Sequence, residues 1–232
     1  MKADIHSHIL CGIDDGARNL EETAAILRFL HQSGVTHLAF TPHYYPSQQP
    51  LARFLEKRQA AFEQVLTLPE AKHFAFSLGA EVYFTPALMN QEDLSDLCYS
   101  GTNLMLTELE TKDRFSSAMK SRLTQLLDLY GIRPVLAHID RYDFLKKDVR
   151  LLSELQDMGC LFQVNLSAFS SFFSSMKMIS LAKKGFLDFL GEDLHRVPRS
   201  PAGREAMLER LEKKSRDMVR QADREALNRI FR

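Results

Sequence analysis

Short apolar runs alternate along this chain with longer amphipathic ones, and that alternation leaves few folds open. The runs Ala3–Ile5, His37–Thr41, Phe74–Leu78, Leu104–Thr107, Pro134–Ala137, Leu161–Val164 and Phe186–Leu190 are brief and largely apolar, as strands buried on both faces are. Helical patterns lie between them. Asn19-Leu20-Glu21-Glu22 reads as an N-cap with a capping-box glutamate, opening a helix that stops near Gly34. Further helices are expected over about 50–67, 115–130, 148–158, 174–184 and 201–213, and the polar tail 217–231 is helix-prone. Alternating strands and helices build parallel βαβ units, and about seven repeats suit a barrel better than a small open sheet. The expectation is an α/β fold: a distorted (β/α)7 TIM-like barrel, parallel strands inside and helices outside, forming one domain over residues 1–232. The Ser- and Phe-rich stretch Ser167–Ser175 reads as a plain connection rather than a lid.

The strand ends carry the chemistry. His6-Ser7-His8 follows the first run, Pro42 and His43 the second, Ala80-Glu81 the third. Glu108 ends the fourth, with Glu110 two residues on; His138 follows the fifth, and Asp193-Leu194-His195 the seventh. Parallel β/α folds place function at the C-terminal ends of their strands, so these imidazoles and carboxylates should converge at one mouth. Side chains on extended chain repeat every two residues, so His6 and His8 share a face, as do Asp193 and His195. Such ligands suit divalent metals, and carboxylates bridging ions about 3.5–4 Å apart would make a multinuclear hydrolytic site. Each signal alone is weak. A lone HxH is commonly a surface pair, Asp14-Asp15-Gly16 alone reads as a turn, and a lone strand-end glutamate is usually solvated. Their coincidence at equivalent positions carries the inference. His31, His37 and His73 lack such placement and are left as surface or core residues.

Bulk properties narrow the class. Lys plus Arg and Asp plus Glu number 30 each, so the formal charge is zero and broad nucleic-acid binding is disfavoured. Three cysteines, Cys11, Cys98 and Cys160, form no CxxC pair or disulfide framework, which suits a reducing compartment. The N-terminus lacks an apolar signal core, and no apolar run approaches the roughly 20 residues of a membrane helix. A cytoplasmic protein without membrane insertion is expected. Oligomerisation stays open.

Together these residues resemble a known family. Asp4-Ile5-His6-Ser7-His8-Ile9-Leu10 with Asp14-Asp15-Gly16-Ala17 is similar to the opening of the polymerase and histidinol phosphatase (PHP) superfamily. Thr41-Pro42-His43, the segment Gly79 to Pro86 (GAEVYFTP), the segment Pro134 to Tyr142 (PVLAHIDRY), Met158-Gly159-Cys160, Gln163-Val164-Asn165 and Asp193-Leu194-His195 follow in the same order. This set resembles most closely the bacterial capsule-locus tyrosine phosphatases of that superfamily, over roughly residues 1–200. The resemblance implies a phosphatase on a PHP-type distorted barrel holding up to three ions, with Mn²⁺ favoured and Fe, Zn or Mg as alternatives. His6, His8, Glu81 and Asp193 would hold one ion; Glu81, Glu108 and His138 a second; Asp15, His43 and His195 a third. Arg141 and Arg199 would bind the phosphoryl group, and Asp193 or a ligating histidine would also handle protons. Glu110 is the alternative to Glu108, and Arg196 the alternative to Arg199. Glu192 should point away from the metals by alternation.

The implied substrate is phosphotyrosine on the tail of a bacterial tyrosine autokinase governing polysaccharide export. Tyr44, Tyr45 and Phe84 lie near ligand-bearing loops but more often pack. Alternatives are a PHP phosphoesterase acting on a small metabolite such as histidinol phosphate, a nuclease, and a non-catalytic metal-stabilised regulatory domain. Cysteine-dependent tyrosine phosphatases need CxxxxxR, and the residues six past each cysteine are Ala17, Leu104 and Leu166. No GxxxxGK[ST] phosphate loop is present.

Overall fold

A computed structural model describes residues 1–110, 114–197 and 201–231. Its strands are β1 (Ala3–Asp4), β2 (His37–Phe40), β3 (His43–Tyr44), β4 (Ala75–Leu78), β5 (Glu81–Phe84), β6 (Leu104–Leu109), β7 (Arg133–Leu136), β8 (Leu161–Asn165) and β9 (Phe189–Gly191). Every pairing between them is parallel, in the orders β1-β2-β4 and β3-β5-β6-β7-β8-β9. These are two arcs of one ring, because β3 continues β2 and β5 continues β4. The ring therefore has seven staves, as the sequence pattern predicts, two of them broken. The separate β3 and β5 segments are not legible in the apolar runs. Pro42 has no N–H to donate, so the second stave jogs there, and the Glu81 amide donates to both Thr41 O (3.3 Å) and Pro42 O (3.1 Å) before pairing resumes.

A single parallel bridge, Ser7 to Leu194, joins the last stave to the first. The His8 amide donates to Leu194 O (2.9 Å) and the Asp193 amide to His6 O (2.8 Å) across the same seam.

Outside the ring lie α1 (Leu20–Gln32), α2 (Leu51–Leu66), α3 (Ser117–Asp128), α4 (Asp143–Lys147), α5 (Val149–Asp157), α6 (Phe172–Lys183) and α7 (Pro201–Arg229). The Asn19 side chain caps α1 by accepting from the Glu22 amide at 2.9 Å. The Glu22 carboxylate reaches one residue further back than a capping box requires, to the Arg18 amide at 2.9 Å. Two expected C-terminal helices are one, since no glycine or proline follows Gly203 to break it. Ser167–Ser175 contributes a 3-10 turn (Leu166–Phe169) and the first turn of α6, capped by Ser171. The last run forms strand only from Phe189; Phe186 and Leu187 pack in the core beneath it.

The ring is filled, not hollow. Ile5, Ala39, Leu106, Val135, Ala137 and Phe189 meet inside it, and Ala226 of α7 and Ile230 just past its end join the same cluster. Full burial of one such aliphatic or Phe side chain stabilises by about 1.5–3 kcal/mol, so the plug is stiff enough to hold the residues above it in register. The Asp223 carboxylate on α7 accepts from the Lys2 amide (2.9 Å) and the Ala3 amide (3.1 Å), anchoring that helix to the foot of β1. No helix among the described residues is long and apolar enough to cross a membrane.

Candidate metal centre

One layer above the plug, polar side chains replace apolar ones at the strand ends. His6 and His8 extend β1, Glu81 opens β5, and Asp193 follows β9. Their ligand atoms form one compact group. His6 Nε2 stands 3.2 Å from Glu81 Oε2 and 3.4 Å from Asp193 Oδ1. His8 Nε2 stands 3.1 and 3.3 Å from the same two oxygens, and 3.1 Å from His6 Nε2. Ligands sharing one ion at about 2.0–2.2 Å lie about 2.8–3.6 Å apart at octahedral or tetrahedral angles. The observed spacings fall in that interval.

The proton inventory agrees. His8 Nδ1 donates to Asp14 Oδ2 (2.7 Å), and His6 Nδ1 faces Gln163 Oε1 (3.3 Å). Both Nε2 lone pairs are thereby turned toward each other and toward carboxylates, an arrangement that a shared cation relieves. Glu81 Oε2 is buried with no hydrogen bond, although three imidazole nitrogens surround it, His43 Nδ1 among them at 3.1 Å. The donor set and its orphaned oxygen therefore fit a metal.

Two further groups adjoin the first. Asp15, His43 and His195 gather beside His8, with His195 Nε2 and His43 Nε2 at 3.2 and 3.8 Å from Asp15 Oδ1. His8 and His195 stack at 4.1 Å between ring centroids. On the other side His138 Nε2 stands 2.9 Å from Glu81 Oε1 and 3.7 Å from Glu108 Oε1, and His43, Glu81 and Glu108 also lie within ligand range of one another. Glu81 touches all three groups. All nine ligand candidates read from the sequence thus converge. Glu110 does not join them: β6 ends at Leu109, its alternation lapses, and the Glu110 carboxylate binds Arg122 of α3.

Electrostatics polarise the cluster. Burial opposes charge on His6, but the Glu81 and Asp193 carboxylates outweigh it and raise its pKa. His8 is held well above the usual imidazole range, its burial overcome by the hydrogen bond to Asp14 and by the adjacent Asp193 and Glu81 carboxylates. Glu81, despite complete burial, is held well below the usual carboxylate range by His6, His138 and His8. Asp193 is lowered in the same way by His6 and His8. The surrounding carboxylates thus call for positive charge at the centre, which a bound cation would supply in place of protons on the imidazoles.

Backbone geometry is spent here too. His138 (φ 34°) and Asp193 (φ 54°) are the two non-glycine residues with left-handed backbone among those described, and both sit at the mouth. At Gly191 an added Cβ would come within 2.7 Å of His6 Cβ, so the chain approaches the first ligand as closely as glycine permits.

Arg141, in the turn after β7, reaches Asp193 Oδ2, while its guanidinium stays 42% exposed at the mouth. Arg196 turns aside, its Nη1 donating to Asp15 O (2.9 Å), Gly16 O and His195 O (2.7 Å). Arg199 lies outside the described residues. Tyr44 and Phe84 are fully buried packing residues. Tyr45 stands beside His43 and Tyr83 at 5.3 and 5.5 Å between centroids, its phenol pushed up to about 12 by burial and by Glu108 and Glu81. Glu192 points away from the ligands, as expected, into a buried pair with Arg204 of α7 (2.6 Å).

Three supporting residues escaped the sequence reading. Asp14, read as part of a turn, accepts from His8 Nδ1 and from the His43 amide (2.9 Å). Gln163 Oε1 accepts from the His138 amide (2.6 Å) and faces His6. Its Nε2 donates to Asn165 Oδ1 (2.7 Å), and Asn165 Nδ2 donates to Asp193 Oδ2 (3.0 Å). The signal was available: Gln163 and Asn165 alternate around Val164 at a strand end, as His6 and His8 do around Ser7.

The comparisons with known proteins agree with this geometry. The family described as "Capsular polysaccharide synthesis, CpsB/CapC" matches residues 2–231. Tyrosine-protein phosphatase CpsB of Streptococcus pneumoniae is 30% identical over 213 residues, covering 85% of this chain and 84% of that protein. Tyrosine-protein phosphatase YwqE of Bacillus subtilis is 24% identical over 206 residues, covering 84% and 77%. The fold matches a crystal structure from work on YwqE and CpsB, described as unique metal-dependent tyrosine phosphatases (TM-score 0.78, 21% identity, 98% of this chain and 95% of that one). It also matches the lactonase Lmo2620 of Listeria monocytogenes (TM-score 0.54, 9% identity, 99% and 92%), which shares the architecture alone. The chain belongs to the CpsB/CapC family of capsular polysaccharide synthesis.

Proposed function

We propose that this chain, acting as one phosphatase domain over residues 1–232, hydrolyses phosphotyrosine on a protein substrate with bound divalent metal. The observation that carries the reading is Glu81 Oε2, buried, without a hydrogen bond, and ringed by three imidazole nitrogens. His6, His8, Glu81 and Asp193 would hold one ion; Glu81, Glu108 and His138 a second; Asp15, His43 and His195 a third. Mn²⁺ suits the mixed nitrogen and oxygen donors, as do Fe, Zn and Mg, and supply in the cell would select among them. When bound, such ions neutralise phosphate oxygens and make water acidic enough to act near neutral pH.

The protein's own groups do the rest. Asp14 and Gln163 fix the tautomers of His8 and His6. Arg141, half exposed beside Asp193, offers charge-assisted donors to the phosphoryl oxygens, where transition-state charge accumulates. Arg199 is the second arginine proposed for that task. Asp193, held ionised, serves better as ligand and proton acceptor than as proton donor. The protein substrate in this reading is the tyrosine-bearing tail of a capsule-locus autokinase.

Turnover of a phosphotyrosine peptide, histidinol phosphate and single-stranded DNA, each with and without Mn²⁺, tests the reading. Metal-dependent preference for the peptide is expected. Faster turnover of the metabolite would replace the substrate assignment, and inertness with metal bound would make this a regulatory domain.

A further inference from the structure

We propose that a cleft beside the metal centre docks the peptide segment flanking the phosphotyrosine, and that the segment it favours is acidic and aromatic. The inference rests on the phosphatase reading above. The cleft, about 480 Å³, runs between the turn after β7 with α4 and the turn after β8 with α6. It lies at the catalytic end of the barrel, past the C-terminal ends of β7 and β8. Asp140 in its wall immediately precedes Arg141 and accepts from the Asn165 amide at 2.9 Å, while the Asn165 side chain holds Asp193.

Its chemistry favours an acidic peptide. Lys146, Lys147 and Lys177 line it from both sides. Asp143 offsets the first two, at 2.9 and 3.5 Å, whereas Lys177 has no acidic partner among the described residues. Arg141, next in sequence to the lining residue Asp140, adds positive charge between the cleft and Asp193. Phe173 is 85% exposed one helical turn before Lys177, on the same side of α6. Phe173 thus offers a peptide an apolar contact next to the cleft lysine that lacks an acidic partner. A long polyanion is disfavoured by Asp140 and Asp143 in the wall. A peptide would place its phosphotyrosine at the metals, acidic side chains against Lys177, and a neighbouring aromatic ring on Phe173.

The test compares an acidic phosphotyrosine peptide with p-nitrophenyl phosphate, which occupies only the phosphoryl site. Lys177→Glu and Phe173→Ser alter exposed positions outside the metal cluster. Each should lower kcat/KM for the peptide by roughly 5- to 10-fold, chiefly through KM, and leave p-nitrophenyl phosphate within about twofold. Unchanged peptide kinetics, or equal losses on both substrates, would overturn the docking role. A changed sedimentation coefficient for Phe173→Ser with unchanged peptide KM would overturn it in favour of a contact between two copies of this chain. Should neither substrate turn over, the phosphatase reading fails separately. Fluorescence anisotropy of the labelled peptide then still decides the cleft, because binding must weaken in Lys177→Glu.

Discussion

Replacing Asp14 with asparagine isolates the contribution of a residue that is not itself a proposed metal ligand but holds two that are. Asp14 Oδ2 takes the His8 Nδ1 proton at 2.7 Å and the His43 amide at 2.9 Å, while Oδ1 takes the Gly16 amide at 2.9 Å. Its pKa is lowered, burial being offset by the hydrogen bond from His8, so the native interaction is charge-assisted. Asparagine has one acceptor for these three donors. If its oxygen serves His8, its NH2 opposes the Gly16 amide; if it flips, its NH2 opposes His8 Nδ1 and drives the ring proton to Nε2, inside the cluster. A hydrogen bond to a charged group contributes about 1.5–3 kcal/mol against about 0.5–1.5 for a neutral one, so the loss should be about 1–2 kcal/mol. That corresponds to a fall of about 5–30-fold in metal affinity, overlapping the range of about 10–100-fold for residues supporting metal-bound histidines. Titration of metal-stripped protein with Mn²⁺ by calorimetry measures it directly, with circular dichroism confirming the fold. Wild-type affinity in a folded Asp14→Asn protein would refute the argument that this carboxylate sets the His8 tautomer.

Arg141→Ala should keep metal and lose roughly 10²–10³-fold in kcat, whereas Asp193→Ala should lose metal and activity together; metal analysis beside kinetics separates them, and full turnover in Arg141→Ala removes it from the phosphoryl site. Glu108→Gln should weaken metal binding while Glu110→Gln leaves it intact, since only the second carboxylate is spent on Arg122; the reverse outcome in a metal titration would exchange their roles. Burial pushes the Cys98 and Cys160 thiols up to about 12, so the native protein should react with a disulfide reagent at Cys11 alone at neutral pH, with all three reacting after denaturation. Peptide mapping showing modified Cys98 or Cys160 in native protein would contradict their burial.

The fold was legible where periodicity is strong. Seven apolar runs locate seven staves because strands covered on both faces must be apolar throughout. The breaks at Pro42 and Gly79-Ala80 were not, because β3 begins with a ligand and β5 with another: the composition there answers to the site rather than to the core. The site was legible through repetition of one rule, a metal-type ligand after a strand. Asp14 breaks that rule, reaching His8 through a tight loop whose shape sequence does not announce. Gln163 and Asn165 obey it but carry amides, which read as ordinary polar residues until their partners are seen. Whether the last polar stretch is one helix or two depends on the absence of a breaker, a weaker signal than the presence of one.

The seam between the first and last staves has a consequence for assembly. Only one backbone bridge spans it, yet His6 and His8 stand on one side and Asp193 and His195 on the other. A cation held between them would act as a buckle joining the two extremities of the chain, and the entropy of closing so long a loop grows only with the logarithm of its length. Tightening the buckle and completing the barrel are then one event, and a growing polypeptide lacks the groups that need Asp193 and His195 until its final stave has been made.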